Sequence, residues 1–170
     1  MKIIINGINA NLRFSSAHII PNHDFCGYIH GHSYFVDVEI EGEQSGSFDF
    51  VVDFKDVKDS VAKICEKLDH RLLIPIFNKE IKFKSIDESI DLDFFKNKEY
   101  IEFKIQEKEY KIPKTDTLLL PLKHSSAEEL AKYFTEHLSN DIISKGWNVS
   151  SISTGVNEGI GQGAFFKKVL

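Results

Sequence analysis

From His30 to Ile40 the chain reads His-Gly-His-Ser-Tyr-Phe-Val-Asp-Val-Glu-Ile. Tyr34, Val36, Val38 and Ile40 fall at every second position, with Asp37 and Glu39 between them. A β-strand turns alternate side chains to opposite faces, so this is the pattern of an antiparallel strand with one apolar and one wet face. The same rule points His30 and His32 the same way and gives His32 the parity of the buried set. Just upstream, Leu12, Phe14, Ser16 and His18 share one parity, placing His18 at the end of a second strand. If the two strands pair as a hairpin, three imidazoles converge at one end of the sheet. Three neutral ring nitrogens suit zinc and leave the fourth tetrahedral position open for water or substrate.

Downstream, Gly42 to Gly46 marks a turn and Asp53 reads as a helix N-cap. Phe54, Val57, Val61, Ile64, Cys65 and Leu68 follow at helical spacing, and the helix is expected to stop near Asp69-His70, ahead of Pro75. A second helix opens at Ser126, with Glu129 completing a capping box, and Ala127, Leu130, Ala131, Phe134 and Leu138 form its apolar stripe up to Lys145-Gly146. Ile152, Thr154, Val156 and Glu158 then share one face of a strand, Gly159 to Gly163 supplies a turn, and Ala164 to Leu170 reads as a last strand. The order is β-β-α-α-β-β, an α+β arrangement in a single domain spanning 1–170. An interruption of about 74–124 separates the helices, too long to be structureless where loops beyond about 15 residues are uncommon. Within it, Tyr100 to Ile105 and Glu109 to Ile112 predict a small hairpin about Glu107-Lys108.

The 170 residues carry 21 Lys and Arg against 26 Asp and Glu, a net charge of −5, with 42% hydrophobic and 28% charged residues. That balance fits a folded globular chain. Without a dense basic cluster it disfavours nucleic acid as a partner, and no apolar run approaches the roughly 20 residues that span a bilayer. The N-terminus lacks the order of a signal peptide, and two cysteines build no disulfide framework, so a cytoplasmic protein is expected.

Cys26, four residues before His30, has three readings: a fourth, structural zinc ligand, a catalytic thiolate, or an inert small residue. Cys65 lies in a helical stripe and reads as core, while His23 and His137 carry no pattern and read as surface residues. Asp69-His70 reads as a helix terminus or as a carboxylate orienting an imidazole for proton transfer. Glu158, buried by its parity, needs a cationic or multi-donor partner, supplied by a salt bridge or by a ligand.

Taken together, Phe14-Ser-Ser-Ala-His18, Cys26-Gly-Tyr-Ile-His30-Gly-His32-Ser-Tyr34, Val52-Asp53-Phe54, Leu68-Asp69-His70, Ser126-Ala-Glu128 and Glu158 resemble the 6-pyruvoyltetrahydropterin and 6-carboxytetrahydropterin synthase family. The resemblance covers nearly the whole chain outside the interruption. It implies a tunnelling fold (T-fold), an antiparallel four-stranded sheet with two helices on one face. It also implies assembly as a homohexamer, two stacked trimers with active sites at subunit boundaries. By the same resemblance His18, His30 and His32 are zinc ligands, Cys26 a thiolate base, Asp69 and His70 its proton-relay partners, and Glu158 the carboxylate that grips the pterin ring. Ser126 and Glu128 are carried over as substrate-binding residues. Where short members carry Pro-Thr ahead of the second helix, this chain has Ser125-Ser126. A glycine-rich run follows Glu158, and the interruption is larger than in short members.

The implied substrate is 7,8-dihydroneopterin triphosphate, from which a side-chain proton is taken and triphosphate eliminated. The compact Cys-Gly-x-x-His-Gly-His run favours the carboxy product, in 7-deazaguanine (queuosine or archaeosine) biosynthesis, over the pyruvoyl product. Two further classes stay open: a zinc hydrolase that would not need Cys26, and a non-catalytic protein whose zinc is closed by Cys26.

Overall fold

The computed structural model describes residues 1–84 and 90–170; residues 85–89, inside the interruption, fall outside the described set. In chain order the elements are β1 (Lys2–Ile5), β2 (Arg13–His18), β3 (His30–Gly42), α1 (Phe54–Leu68), β4 (Leu72–Pro75), β5 (Lys82–Phe83), β6 (Tyr100–Ile105), β7 (Lys108–Pro113), β8 (Thr117–Leu120), α2 (Ala127–Ser144), β9 (Val149–Asn157) and β10 (Gly163–Val169). Short 3-10 turns occupy Leu92–Phe95 and Lys114–Asp116. The chain divides into two compact units. The first comprises Met1–Phe14, Ser33–Asp69 and Ala127–Leu170, and the second Ser15–His32 and His70–Ser126.

The first unit holds both helices. β3 is its axis, antiparallel to β1 along Val38–Glu41 and to β9 from Phe35 onward, and β10 pairs antiparallel with β9. Tyr34, Val36, Val38 and Ile40 are at most 1% exposed, as the alternation requires, and Phe14 stacks on Tyr34 at 4.6 Å. α1 starts where Asp53 Oδ1 accepts the Lys55 amide at 2.7 Å, and it ends where the Asp69 amide donates to Cys65 O at 2.9 Å. Val57, Val61, Ile64, Cys65 and Leu68 are buried, whereas Phe54, at the first position, is half exposed. α1 is tied to α2 and the residues just after it by Ser60 Oγ donating to the Asp141 carboxylate, by Lys145 Nζ donating to Ser60 Oγ at 3.0 Å, and by Trp147 Nε1 donating to Asp56 at 2.8 Å. α2 sits on β9 and β10, where Thr154 Oγ1 donates to Ala131 O at 2.9 Å and Thr135 Oγ1 to Phe166 O at 3.1 Å. Gly155 lies under the Phe165 ring, and a Cβ there would stand 2.3 Å from a ring carbon.

The second unit contains the end of β2, running parallel to β4, and β4 running parallel to β8. A separate three-stranded antiparallel sheet is built in the order β5-β6-β7. Ile19, Leu72, Ile74, Ile76, Ile81, Phe83, Phe95, Ile101, Phe103 and Ile105 form one buried cluster, so the interruption supplies most of a core that Ile19 and Leu72 complete. The β6–β7 hairpin matches its expected bounds within a residue and turns through Gln106, in left-handed backbone at φ 51°.

The sheet therefore departs from the expected four antiparallel strands: it has more than four, and it is mixed, because β4 and β8 join in parallel. Leu72-Leu-Ile-Pro75 is buried at all four positions, and a strand covered on both faces shows no alternation to read. β1 and β8 are equally short runs without period-2 contrast. No helix among the described residues is long and apolar enough to cross a membrane.

Candidate functional site

β2 and β3 bring His18, His30 and His32 together within the second unit. One ring nitrogen from each lies within 4.8 Å of the others, and the ring centroids are 4.4, 5.1 and 5.0 Å apart. His18 is buried; His30 and His32, two residues apart on one strand face, are half-buried. Among the described residues these three form the group that could hold a metal, and Cys26 is not in it.

The backbone fixes two of the rings. His18 Nδ1 lies 2.7 Å from Ser125 O, and His30 Nδ1 lies 2.8 Å from Tyr28 O. A carbonyl only accepts, so each Nδ1 carries the proton and each Nε2 is left with its lone pair. Those two Nε2 atoms stand 3.0 Å apart. Two bare lone pairs at that distance repel, and a cation between them removes the repulsion. Nitrogens bound to a tetrahedral zinc at about 2.0–2.1 Å stand roughly 3.3 Å apart, so the donor set and its spacing fit zinc. Burial, the largest influence, together with the neighbouring imidazoles pushes His18 down to about 4, against the Ser125 hydrogen bond, so its lone pair is available at neutral pH.

The supports of this cluster are positions that carry no sequence signal of their own. Ser125 is fully buried, with its hydroxyl donating to Ile19 O at 3.4 Å. Buried Asn78 fixes the approach to Ser125, its amide donating to Lys123 O at 2.8 Å and meeting His124 Nδ1 at 3.2 Å. Such outer partners orient metal-binding imidazoles.

Cys26 is half-buried in the loop between β2 and β3. The Ile20 amide donates to Cys26 O at 2.8 Å, and the Gly27 amide to His23 O at 2.9 Å. His23, exposed as expected of a surface residue, also organises this loop: its Nδ1 accepts from the Cys26 amide at 3.0 Å and from the Phe25 amide at 3.3 Å. A Cβ at Gly27 would lie 2.4 Å from His23 O, so the turn requires glycine there.

Asp69 ends α1 in the first unit, and His70 begins the next segment in left-handed backbone at φ 54°. The His70 amide donates to Ser15 O at 2.7 Å, and Arg71 Nη1 donates to His70 O at 3.1 Å. A non-glycine residue held there stores about 1 kcal/mol or more of strain, sustained by these contacts.

Glu158 lies one residue beyond β9 and is half-buried rather than buried. β9 is covered on both faces from Ser151 onward, so parity along it does not distinguish a core face from a wet one. Glu158's charge acts on Tyr34: burial chiefly, and that carboxylate in addition, push the phenol well above its ordinary range. Ser126 directly precedes α2, Glu128 stands in its first turn, and Glu129 pairs with Lys132 at 3.0 Å.

The profile of the family described as 6-pyruvoyl tetrahydropterin synthase matches residues 7–168. A Methanocaldococcus jannaschii protein with the provisional name 6-carboxy-5,6,7,8-tetrahydropterin synthase is 43% identical over 171 residues, 100% of this chain and 98% of that protein. An Archaeoglobus fulgidus protein with the same provisional name is 40% identical over 88 residues, 52% of this chain and 71% of that protein. Among solved structures, Plasmodium falciparum 6-pyruvoyl tetrahydropterin synthase superposes with a TM-score of 0.84 at 28% identity, across 100% of this chain and 98% of that one.

Proposed function

Since the chain belongs to the 6-pyruvoyl tetrahydropterin synthase family, we propose that it is a zinc-dependent 6-carboxy-5,6,7,8-tetrahydropterin synthase. It would convert 7,8-dihydroneopterin triphosphate and one water to 6-carboxy-5,6,7,8-tetrahydropterin, acetaldehyde and triphosphate, in 7-deazaguanine biosynthesis. The observation that carries this reading is the convergence of three imidazoles, two with their tautomers fixed by backbone carbonyls. The carboxy product is favoured by the name of the Methanocaldococcus jannaschii relative, which is matched along 98% of its length.

His18, His30 and His32 would hold the zinc. When bound, zinc supplies a Lewis acid with an open coordination position, which acidifies a carbon–hydrogen bond next to a substrate oxygen. Cys26 is assigned the removal of a proton from the pterin side chain, as thiolate. His70 is assigned a second proton transfer, with Asp69 orienting it. Glu158 is assigned the pterin ring, whose adjacent N–H groups match the two oxygens of a carboxylate, and Ser126 and Glu128 further substrate contacts.

A second reading, elimination of triphosphate to a 6-pyruvoyl product, is favoured by the Plasmodium falciparum structure and by the family's description. Incubation with 7,8-dihydroneopterin triphosphate and chromatography of the pterins decides between them. The 6-carboxy compound with acetaldehyde supports the first, a 6-pyruvoyl compound the second, and unconsumed substrate contradicts both.

A further inference from the structure

The β6–β7 hairpin, the expected element of the interruption, meets the Cys26 loop at two places. Lys108, the first residue of β7, donates from Nζ to Gly27 O at 3.0 Å, and the same ammonium lies 3.9 Å from the centroid of the Tyr28 ring. Gln106, in the hairpin turn, donates from Nε2 to Asn22 Oδ1 at 2.7 Å. Gln106 and Asn22 are both in left-handed backbone, at φ 51° and 64°, so this bond joins two tight turns. The root of the hairpin is fixed, because Ile105 is buried in the same cluster as Ile19 and Leu72.

The residues gripped stand on either side of the proposed chemistry. Gly27 follows Cys26 directly, and its amide closes the loop on His23. Tyr28 supplies the carbonyl that fixes the His30 tautomer. One ammonium thus restrains the peptide after the thiol and the residue that aims a metal-binding imidazole. The attraction is of two kinds, a charge-assisted hydrogen bond and a cation over an aromatic face.

We propose that Lys108, seconded by Gln106, is a positioning residue: the hairpin is a strut that holds the Cys26 loop and the Tyr28 carbonyl in their working geometry. This rests on the reading of Cys26 and His30 given above. Neither Lys108 nor Gln106 touches substrate in this role. A cation that merely decorated the surface would lack the second contact and could be removed without effect on the loop.

The test compares wild type with Lys108→Met, which keeps the aliphatic stem but removes charge and donors, and with Lys108→Arg, which keeps both. Hydrogen exchange of the Cys26 and Gly27 amides in metal-free protein reads the strut without reference to activity. In Lys108→Met these amides should exchange about tenfold faster or more, while amides of the β6–β7 ladder keep their protection and Lys108→Arg stays near wild type. In the zinc-loaded enzyme, kcat with the dihydropterin substrate should fall in Lys108→Met, with KM little changed, and recover in Lys108→Arg. Unchanged exchange in Lys108→Met overturns the strut, and faster exchange with unchanged kcat overturns the positioning role. A wild type that converts no pterin refutes the proposed function instead, and the exchange comparison still decides whether the strut exists.

Discussion

His18 is 2% exposed, its Nδ1 is tied to Ser125 O, and its Nε2 faces His30 Nε2 at 3.0 Å. With both Nδ1 protons committed to carbonyls, the two facing Nε2 atoms keep their lone pairs, the state in which an imidazole can bind a metal. Replacing His18 with Ala should remove most of the bound zinc, whereas Cys26→Ala should keep zinc and lose turnover. Elemental analysis of both variants checks this, and loss of zinc in Cys26→Ala would make the thiol a ligand. The two cysteines should also separate by reactivity. Burial, with the Asp69 charge adding to it, pushes the Cys65 thiol up to about 12, so it stays protonated across pH 7–10. Half-buried Cys26 should therefore take up iodoacetamide at pH 9 while Cys65 does not, as peptide mass mapping will show. The histidines were legible in the sequence because two share a strand face and the third has matching parity. Ser125, Asn78, Tyr28 and His23 were not, because three of them act through backbone groups or an amide, and His23 through an acceptor nitrogen that no spacing rule foretells.

Elements with strong periodicity matched their reading. β3 buries every second residue, and α1 begins at its capping carboxylate. Asp53→Ala should lower stability by about 1 kcal/mol, since one amide of the first turn loses its acceptor. Thermal unfolding beside wild type checks this, and an unchanged midpoint would mean that the cap adds nothing. The elements that escaped the sequence share one physical cause. β4 and β8 are four-residue runs paired in parallel, and β9 is covered on both faces, so the contrast between wet and dry positions disappears. That loss of contrast also misplaced Glu158, which lies past the strand end instead of on a buried face.

At the scale of the whole molecule, β10 pairs with β9 along one side, and among the described residues its other side has no strand partner. Phe165 and Val169 on this strand are 57% and 76% exposed. An unpaired strand with apolar side chains in water favours association with another copy. Light scattering at micromolar concentration should give a hexamer, and a monomeric mass would contradict assembly through this edge. The family and its fold were legible from motifs spread along nearly the whole chain. The core that the interruption mostly supplies was not, because its apolar residues are spaced by three short strands and two 3-10 turns rather than by one period.

The joint claim that three imidazoles hold a metal and that the metal serves pterin chemistry is tested most directly by titrating zinc into chelator-stripped protein. Acetaldehyde release from 7,8-dihydroneopterin triphosphate is followed throughout. Activity should be negligible in the stripped protein, rise with added zinc and level off at about one ion per chain, as expected for a site of three histidines with one open position. Full turnover by the stripped protein, or none at saturating zinc, would contradict it.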